Sequence, residues 1–214
     1  MHPSAFQDTA GARRAPRLTR PGILVIDAQP GFLKLTPGTH EPFLQRLGRL
    51  LLMTTHLKLP TVATFEDPEA NGYLPMRLEG YWPGHGTRLE KTTFDCCADA
   101  AVVAAIEAMD RRQLLVAGAE TDVCVLQSVL SLLEREYEVF LLEDVLYSSE
   151  PHTGPAIRRM ETAGAIPCTL KAAFYELKKT VGVPADPSWP EGGWERLIER
   201  FGPPEELPPW EPGA

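Results

Sequence analysis

The sequence predicts an α/β fold: a three-layer, doubly wound sheet of about six parallel strands with helices on both faces. Three observations predict it. Short Ile- and Val-rich runs such as GILVIDAQ, 22–29, have the length and near-continuous apolarity of strands buried on both faces. Segments with apolar residues at helical spacing alternate with those runs, as a parallel sheet with crossover helices requires. The chain has 214 residues, 43% hydrophobic and 23% charged, which suits one substantial core rather than two.

Taken in order, 22–29 is the first strand, ending in Asp27-Ala28-Gln29. PFLQRLGRLLLMTTHLK, 42–58, repeats apolar residues every three or four positions and reads as a helix. LPTVATFED, 59–67, is the second strand. Residues 68–90 mix Pro, Gly and aromatics without period and read as a long loop, a feature that in compact domains is often functional. DAAVVAAIEAMDR, 99–111, is helical, with Asp99 a candidate cap. QLLVAGA, 113–119, is a strand, and 121–137 a helix with Thr121 as its candidate N-cap. EVFLLEDV, 138–145, is a strand. PAIRRMETAG, 155–164, has proline at its start and glycine at its end, as helices prefer. AIPCTL, 165–170, is a strand and KAAFYELKK, 171–179, a last short helix.

The flanks read differently. Residues 1–20 are polar, with four arginines and no apolar h-region of signal-peptide type after them: a loose arm rather than a secretory signal. The domain proper spans 21–182, and 183–214 form a Pro- and Trp-rich tail that lies on the body or on a neighbouring subunit. A net charge of −8 offers no basic stripe for nucleic acid. No apolar run approaches the roughly 20 residues that span a bilayer. The four cysteines, Cys96, Cys97, Cys124 and Cys168, form no disulfide framework and no zinc spacing, which fits reduced thiols in a cytoplasm.

Open parallel sheets bind ligands beyond the carboxyl ends of their strands. The first strand ends at Asp27, the loop after the second contains Lys91 in LEKTTFD, and the third ends just before Cys124 in GAETDVCV. Singly, each has an ordinary reading: a loop acid, a solvated lysine, a small buried filler. Together they offer chemistry. In the first turn of a helix capped by Thr121, Cys124 would meet N–H groups that lack intrahelical partners. Such groups favour a thiolate and can hold an oxyanion. Asp27 could take the thiol proton, with Lys91 as balancing charge. An activated Cys124 should then react with iodoacetamide below the free-thiol value of about 8.5.

The segments ILVIDAQPGF (23–32), LEKTTFD (89–95), VAGAETDVCVLQSVLSLL (116–133) and VFLLEDVLYSS (139–149) resemble the isochorismatase-like cysteine hydrolases, in the order that superfamily has them and over about residues 20 to 180. The resemblance implies a six-stranded parallel sheet and a catalytic set of Asp27, Lys91 and Cys124. It implies a non-proline cis bond between Ala119 and Glu120, in the turn Ala119-Glu120-Thr121, with the N–H groups of Glu120 and Cys124 as oxyanion hole. It also implies acyl transfer through a thioester: a carboxamide, carbamoyl or ureido carbon is attacked by Cys124, and Asp27 acts as base and then acid.

Two departures narrow that expectation. Nicotinamidases of the superfamily carry an Asp-x-His-type metal site after the second strand. Here the region reads TFEDPEANG, with Glu66 and Asp67 but Pro68 where a histidine is needed, so no metal and no cofactor are expected and nicotinamidase is the weaker alternative. Cys124 itself argues for C–N hydrolysis, because siderophore-pathway isochorismatases, which cleave a vinyl ether, lack that cysteine. Gln29, Phe32, Tyr73, Trp82 and Phe94 are candidate pocket residues, each equally readable as a loop anchor. The expected partners are a small-molecule substrate and further copies of the chain in a homo-oligomer. A thiol redox protein using Cys96–Cys97 or Cys124, and a non-catalytic binding protein on the same fold, remain alternatives.

Overall fold

A computed structural model describes residues 16–33, 40–179, 193–195 and 199. The elements run β1 (Gly22–Ile26), α1 (Pro30–Leu33), α2 (Glu41–Leu57), β2 (Thr61–Glu66), α3 (Pro68–Asn71), α4 (Met76–Glu79), β3 (Thr87–Lys91), α5 (Ala100–Ala108), β4 (Gln113–Ala119), α6 (Leu126–Glu134), β5 (Glu138–Tyr147), α7 (Gly154–Ala163), β6 (Ile166–Cys168) and α8 (Leu170–Lys178). The six strands form one sheet in the order β3-β2-β1-β4-β5-β6, and every pairing is parallel.

Alternation along the strands divides the core into two layers. Ile23 and Val25 of β1, with Ala63, Phe65, Leu115 and Ala117, face α2 and α8. Leu24 and Ile26, with Val62, Leu114 and Val116, face α5, α6 and α7. Both faces are covered, so β1 and β4 are buried at every position, which is why they read as continuous apolar runs. Each aliphatic side chain buried in this way contributes about 1.5–3 kcal/mol.

Local chemistry sets the helix ends. The Asp99 carboxylate accepts from Ala101 N–H and Val102 N–H and starts α5. Gly164, at φ +117°, ends α7 in a conformation glycine adopts without strain. The Thr169 hydroxyl caps α8 by accepting from Ala172 N–H.

Three expectations are corrected. The aperiodic loop over 68–90 instead holds two single-turn helices and the edge strand β3. Most of β3 is exposed and three of its five residues, TRLEK, are charged, so it has no apolar run to announce it. The helix expected over 121–137 opens with a wide π-type turn, Thr121–Val125, before α6 begins. Thr121 does not cap it: its hydroxyl donates to the Tyr147 carbonyl at the end of β5.

Of the expected arm, residues 16–20 are described, and the chain is pinned to the body from Leu18. Leu18 is buried, its N–H donates to Glu176, and the N–H groups of Thr19 and Arg20 donate to Gln113 Oε1. Of the expected tail, Trp194 packs on Phe174 with ring centroids 5.5 Å apart. The remainder of both segments lies outside the described residues. Among the described residues no helix is long and apolar enough to cross a membrane.

Candidate active site

The order of the strands reverses between β1 and β4, which lie side by side in the sheet and send their following segments to opposite faces. Such a switch point opens a crevice at the carboxyl edge. Asp27 follows β1 there, with φ of 45°, and the turn carrying Cys124 follows β4. The neighbouring strands β2 and β3 deliver Glu66 and Lys91, which are register partners.

Gly118 makes the approach possible. It pairs with Ile26, and a Cβ built on it would lie 1.9 Å from the Ile26 carbonyl oxygen, so no larger residue fits between β1 and β4. The next peptide bond, Ala119–Glu120, is cis. The turn is tied down from the end of β5. Ser149 N–H and Oγ donate to the Glu120 carboxylate, and Ser148 Oγ is placed between Glu120 and Asp122.

Five side chains meet at this edge. Lys91 Nζ lies 2.5 Å from Asp27 Oδ2, and both side chains are fully buried. Thr64 Oγ1 donates to Asp27 Oδ1 at 2.8 Å, so both carboxylate oxygens are engaged. Lys91 Nζ also donates to the Thr93 carbonyl at 2.7 Å and stands 3.8 Å from Glu66 Oε2. The Cys124 thiol, itself buried, donates to that same Glu66 oxygen at 3.0 Å. A continuous polar chain results: Cys124, Glu66, Lys91, Asp27.

The electrostatics differ from the expected activated thiolate. Burial, the hydrogen bond to Glu66 and the negative charge of Asp27 push the Cys124 thiol far above its ordinary value, and Lys91 only partly opposes them. A thiol that donates to a carboxylate is held as a thiol. Burial likewise raises the Asp27 carboxyl, against the downward pull of Lys91, Thr64 and Cys124. The geometry and the direction of the shift both favour the protonated thiol at Cys124.

The remaining candidates fall into two groups. Gln29 is buried and its amide is spent on backbone. Its Oε1 accepts from Glu66 N–H at 2.7 Å, and its Nε2 donates to the carbonyls of Glu66 and Gly72 at 2.9 and 2.6 Å. Gln29 thus fixes the end of β2 and with it Glu66. Phe32 is half-buried in α1. Tyr73 is exposed, with its hydroxyl on Glu90 and its ring edge-on to Phe65. Trp82 is covered by the Arg88 guanidinium 4.7 Å from its ring. Phe94 is exposed. Thr64 and Glu66 did not emerge from the sequence as catalytic candidates. The available signal was position: Glu66 closes the second strand as Asp27 follows the first.

Asp27, Glu66 and Cys124 offer ligand atoms within 4.8 Å of one another. The Lys91 ammonium already occupies the Asp27 oxygen that a cation would need and faces Glu66 as well. A resident divalent ion does not fit beside that charge. Asp67 and Pro68 begin α3 and bring no histidine to the cluster.

The isochorismatase domain family matches residues 21–172. The chain belongs to that family. "Isochorismatase family protein 1A" of Dictyostelium discoideum is 29% identical over 134 residues, 61% of this chain and 65% of that protein, so the shared stretch is just under two thirds of the relative's length. "Probable hydrolase YcaC" of Escherichia coli K12 is 27% identical over 160 residues, 73% of this chain and 77% of that protein. The Escherichia coli YcaC crystal structure, described as an octameric hydrolase of unknown specificity, superposes with a TM-score of 0.72 at 26% identity, covering 79% of this chain and 85% of that one. YcaC from Pseudomonas aeruginosa, whose structure contains covalent acrylamide, gives a TM-score of 0.74 at 26% identity over 89% of this chain and 91% of that one. These likenesses agree with the six-stranded parallel sheet and its flanking helices.

Proposed function

We propose that this isochorismatase-family chain is a cysteine hydrolase that cleaves a C–N bond of a small amide, ureide or carbamoyl compound through a thioester on Cys124. One observation carries the reading: a buried thiol shares a hydrogen-bonded cluster with a buried Lys91–Asp27 ion pair at the switch point of the sheet. A core cysteine has no need of two carboxylates and an ammonium around it, and burying such charges is costly unless they are used.

In this reading Asp27 is the general base that accepts the thiol proton as Cys124 attacks the carbonyl carbon. Lys91 holds Asp27 in place and offsets the negative charge that grows during attack. The N–H groups of Glu120 and Cys124, in the turn Ala119-Glu120-Thr121, receive the oxyanion. Asp27 then returns its proton to the departing amine. The thioester is left for water. Support for hydrolysis comes from the YcaC relatives; the covalent acrylamide in one of them supports a reactive nucleophile in that protein. The octameric relative supports reading this chain as a homo-oligomer, and four free cysteines support a reducing, cytoplasmic setting.

The test is ammonia release from a panel of amides, ureides and carbamoyl amino acids. Turnover by the native chain and none by Cys124→Ala is expected. Activity that survives Cys124→Ala would remove the nucleophile, and with it the proposed chemistry.

A further inference from the structure

We propose that the two carboxylates divide the reaction, and that Glu66 is the general base of the second half, the attack of water on the thioester. This inference rests on the thioester reading above. The proton Asp27 handles in the first half travels within the closed site, between thiol and amine; the second half brings in a water, and the Asp27 side chain is fully buried. A hydrolytic water arrives from solvent, and the Glu66 side chain is 18% exposed.

Contact with the sulfur makes the timing specific. In the resting protein Glu66 Oε2 is occupied by the Cys124 thiol at 3.0 Å. Acylation removes that donor, because the sulfur now carries carbon in place of hydrogen. The oxygen loses its hydrogen-bond donor at the stage when a water needs a base, with the Lys91 ammonium still 3.8 Å away, and the acyl carbon is one bond from the sulfur it was touching. The backbone of Glu66 is clamped by Gln29 and by Asn71 Nδ2, so the carboxylate stays beside the sulfur when its partner is lost.

The proton and electron balance closes within the cluster. Glu66 takes one proton from water as the oxygen forms its bond to the acyl carbon and the carbonyl electron pair moves to oxygen. When the carbonyl re-forms, the C–S bond breaks and its electron pair goes to sulfur. Glu66 returns the proton to the Cys124 sulfur, the carboxylic or carbamic product leaves, and the resting hydrogen bond is restored.

The probe is p-nitrophenyl acetate, whose nitrophenolate reports acylation in the first turnover and deacylation in the steady state. Glu66→Gln should keep the first-turnover burst within a few-fold and lose steady-state turnover by about 100-fold or more, the usual weight of a general base. An acetyl adduct on Cys124 should accumulate in quenched samples by intact mass. Hydroxylamine, a nucleophile that needs no base, should release it. Glu66→Asp, which keeps a carboxylate, should regain part of the steady-state rate; equal loss in both variants would overturn the assignment. Loss of the burst along with the steady state would overturn it too, by giving Glu66 to the thiol. An unchanged steady state would do the same. A native chain that forms no Cys124 adduct would instead remove the thioester reading, and this inference with it.

Discussion

Replacing Lys91 by Met keeps the length and packing of the stem and removes the charge. Asp27 would then lie buried with Thr64 as its remaining donor, having lost the ammonium 2.5 Å away. At that distance the attraction is on the order of 7 kcal/mol for an effective dielectric constant of about 20. The carboxyl escapes most of this penalty by staying protonated. Burial already pushes its pKa above the ordinary 3.8, and Lys91 is the chief influence holding it down. The cost is then set by linkage. A folded pKa raised above the unfolded one leaves full stability below the unfolded pKa and erodes it as pH climbs toward the folded value. At about 1.4 kcal/mol per pH unit above the ordinary value, the ceiling is about 4 kcal/mol at pH 7 and under about 2 at pH 5. The first figure agrees with the 3–5 kcal/mol typical of breaking a buried pair by removing one partner. In a chain of this size it lowers Tm by about 10 °C. Urea denaturation at pH 7 and pH 5 is the assay, with Asp27→Asn/Lys91→Met as the companion. The single variant should be markedly weaker at pH 7 than at pH 5, and the double variant should recover stability. An undiminished native midpoint at pH 7, or a deficit equal at both pH values, would refute the reasoning.

Other consequences follow from neighbouring residues. Gly118→Ala places a methyl 1.9 Å from the Ile26 carbonyl at φ +133°, so it should cost at least about 3 kcal/mol by chemical denaturation and prise β1 from β4. A Gly118→Ala protein of native stability would show that the strands are not so close. Gln29→Leu leaves the Glu66 amide and the Gly72 carbonyl without this partner, with the Glu66 carbonyl keeping Asn71 Nδ2, and should lower stability by about 2–3 kcal/mol while depressing kcat more than it raises KM. A pure KM effect would return Gln29 to the pocket wall. Because burial and carboxylates raise the Cys124 thiol, its iodoacetamide labelling should be slow at neutral pH and climb only above the free-thiol value of about 8.5. Rapid labelling at pH 7 would mean that the resting sulfur is a thiolate.

Much of this architecture is legible in sequence because burial on both faces writes itself as apolar runs. β1 and β4 are examples, and the residues that follow them, Asp27 and Cys124, are placed by topology alone. β3 is not legible: an edge strand of Thr, Arg, Leu, Glu and Lys carries no such signature, and its last residue, Lys91, reads from the sequence as part of the loop after the second strand. The π-type turn around Cys124 is hidden for a related reason. Its sequence, TDVCV, continues smoothly into the periodicity of α6, and the change of winding is set by Thr121 reaching out to Tyr147 and by Glu120 reaching to Ser149. Glu66 escaped because a carboxylate at a strand end is common. Its meaning comes from a sulfur 58 residues away along the chain, a contact no local pattern reports. The sign of the Cys124 shift escaped for the same reason. Helix-terminal N–H groups favour a thiolate, but burial, joined by the hydrogen bond to Glu66 and the charge of Asp27, outweighs them.

The covalent step is the centre of the account. Once the ammonia panel identifies a substrate, the reaction can be quenched in acid during steady turnover and the peptide containing Cys124 read by mass spectrometry. An acyl or carbamoyl group on Cys124 that forms as amine is released, and that decays as acid product appears, is the predicted result. Turnover at full rate with the Cys124 peptide unmodified throughout would contradict it.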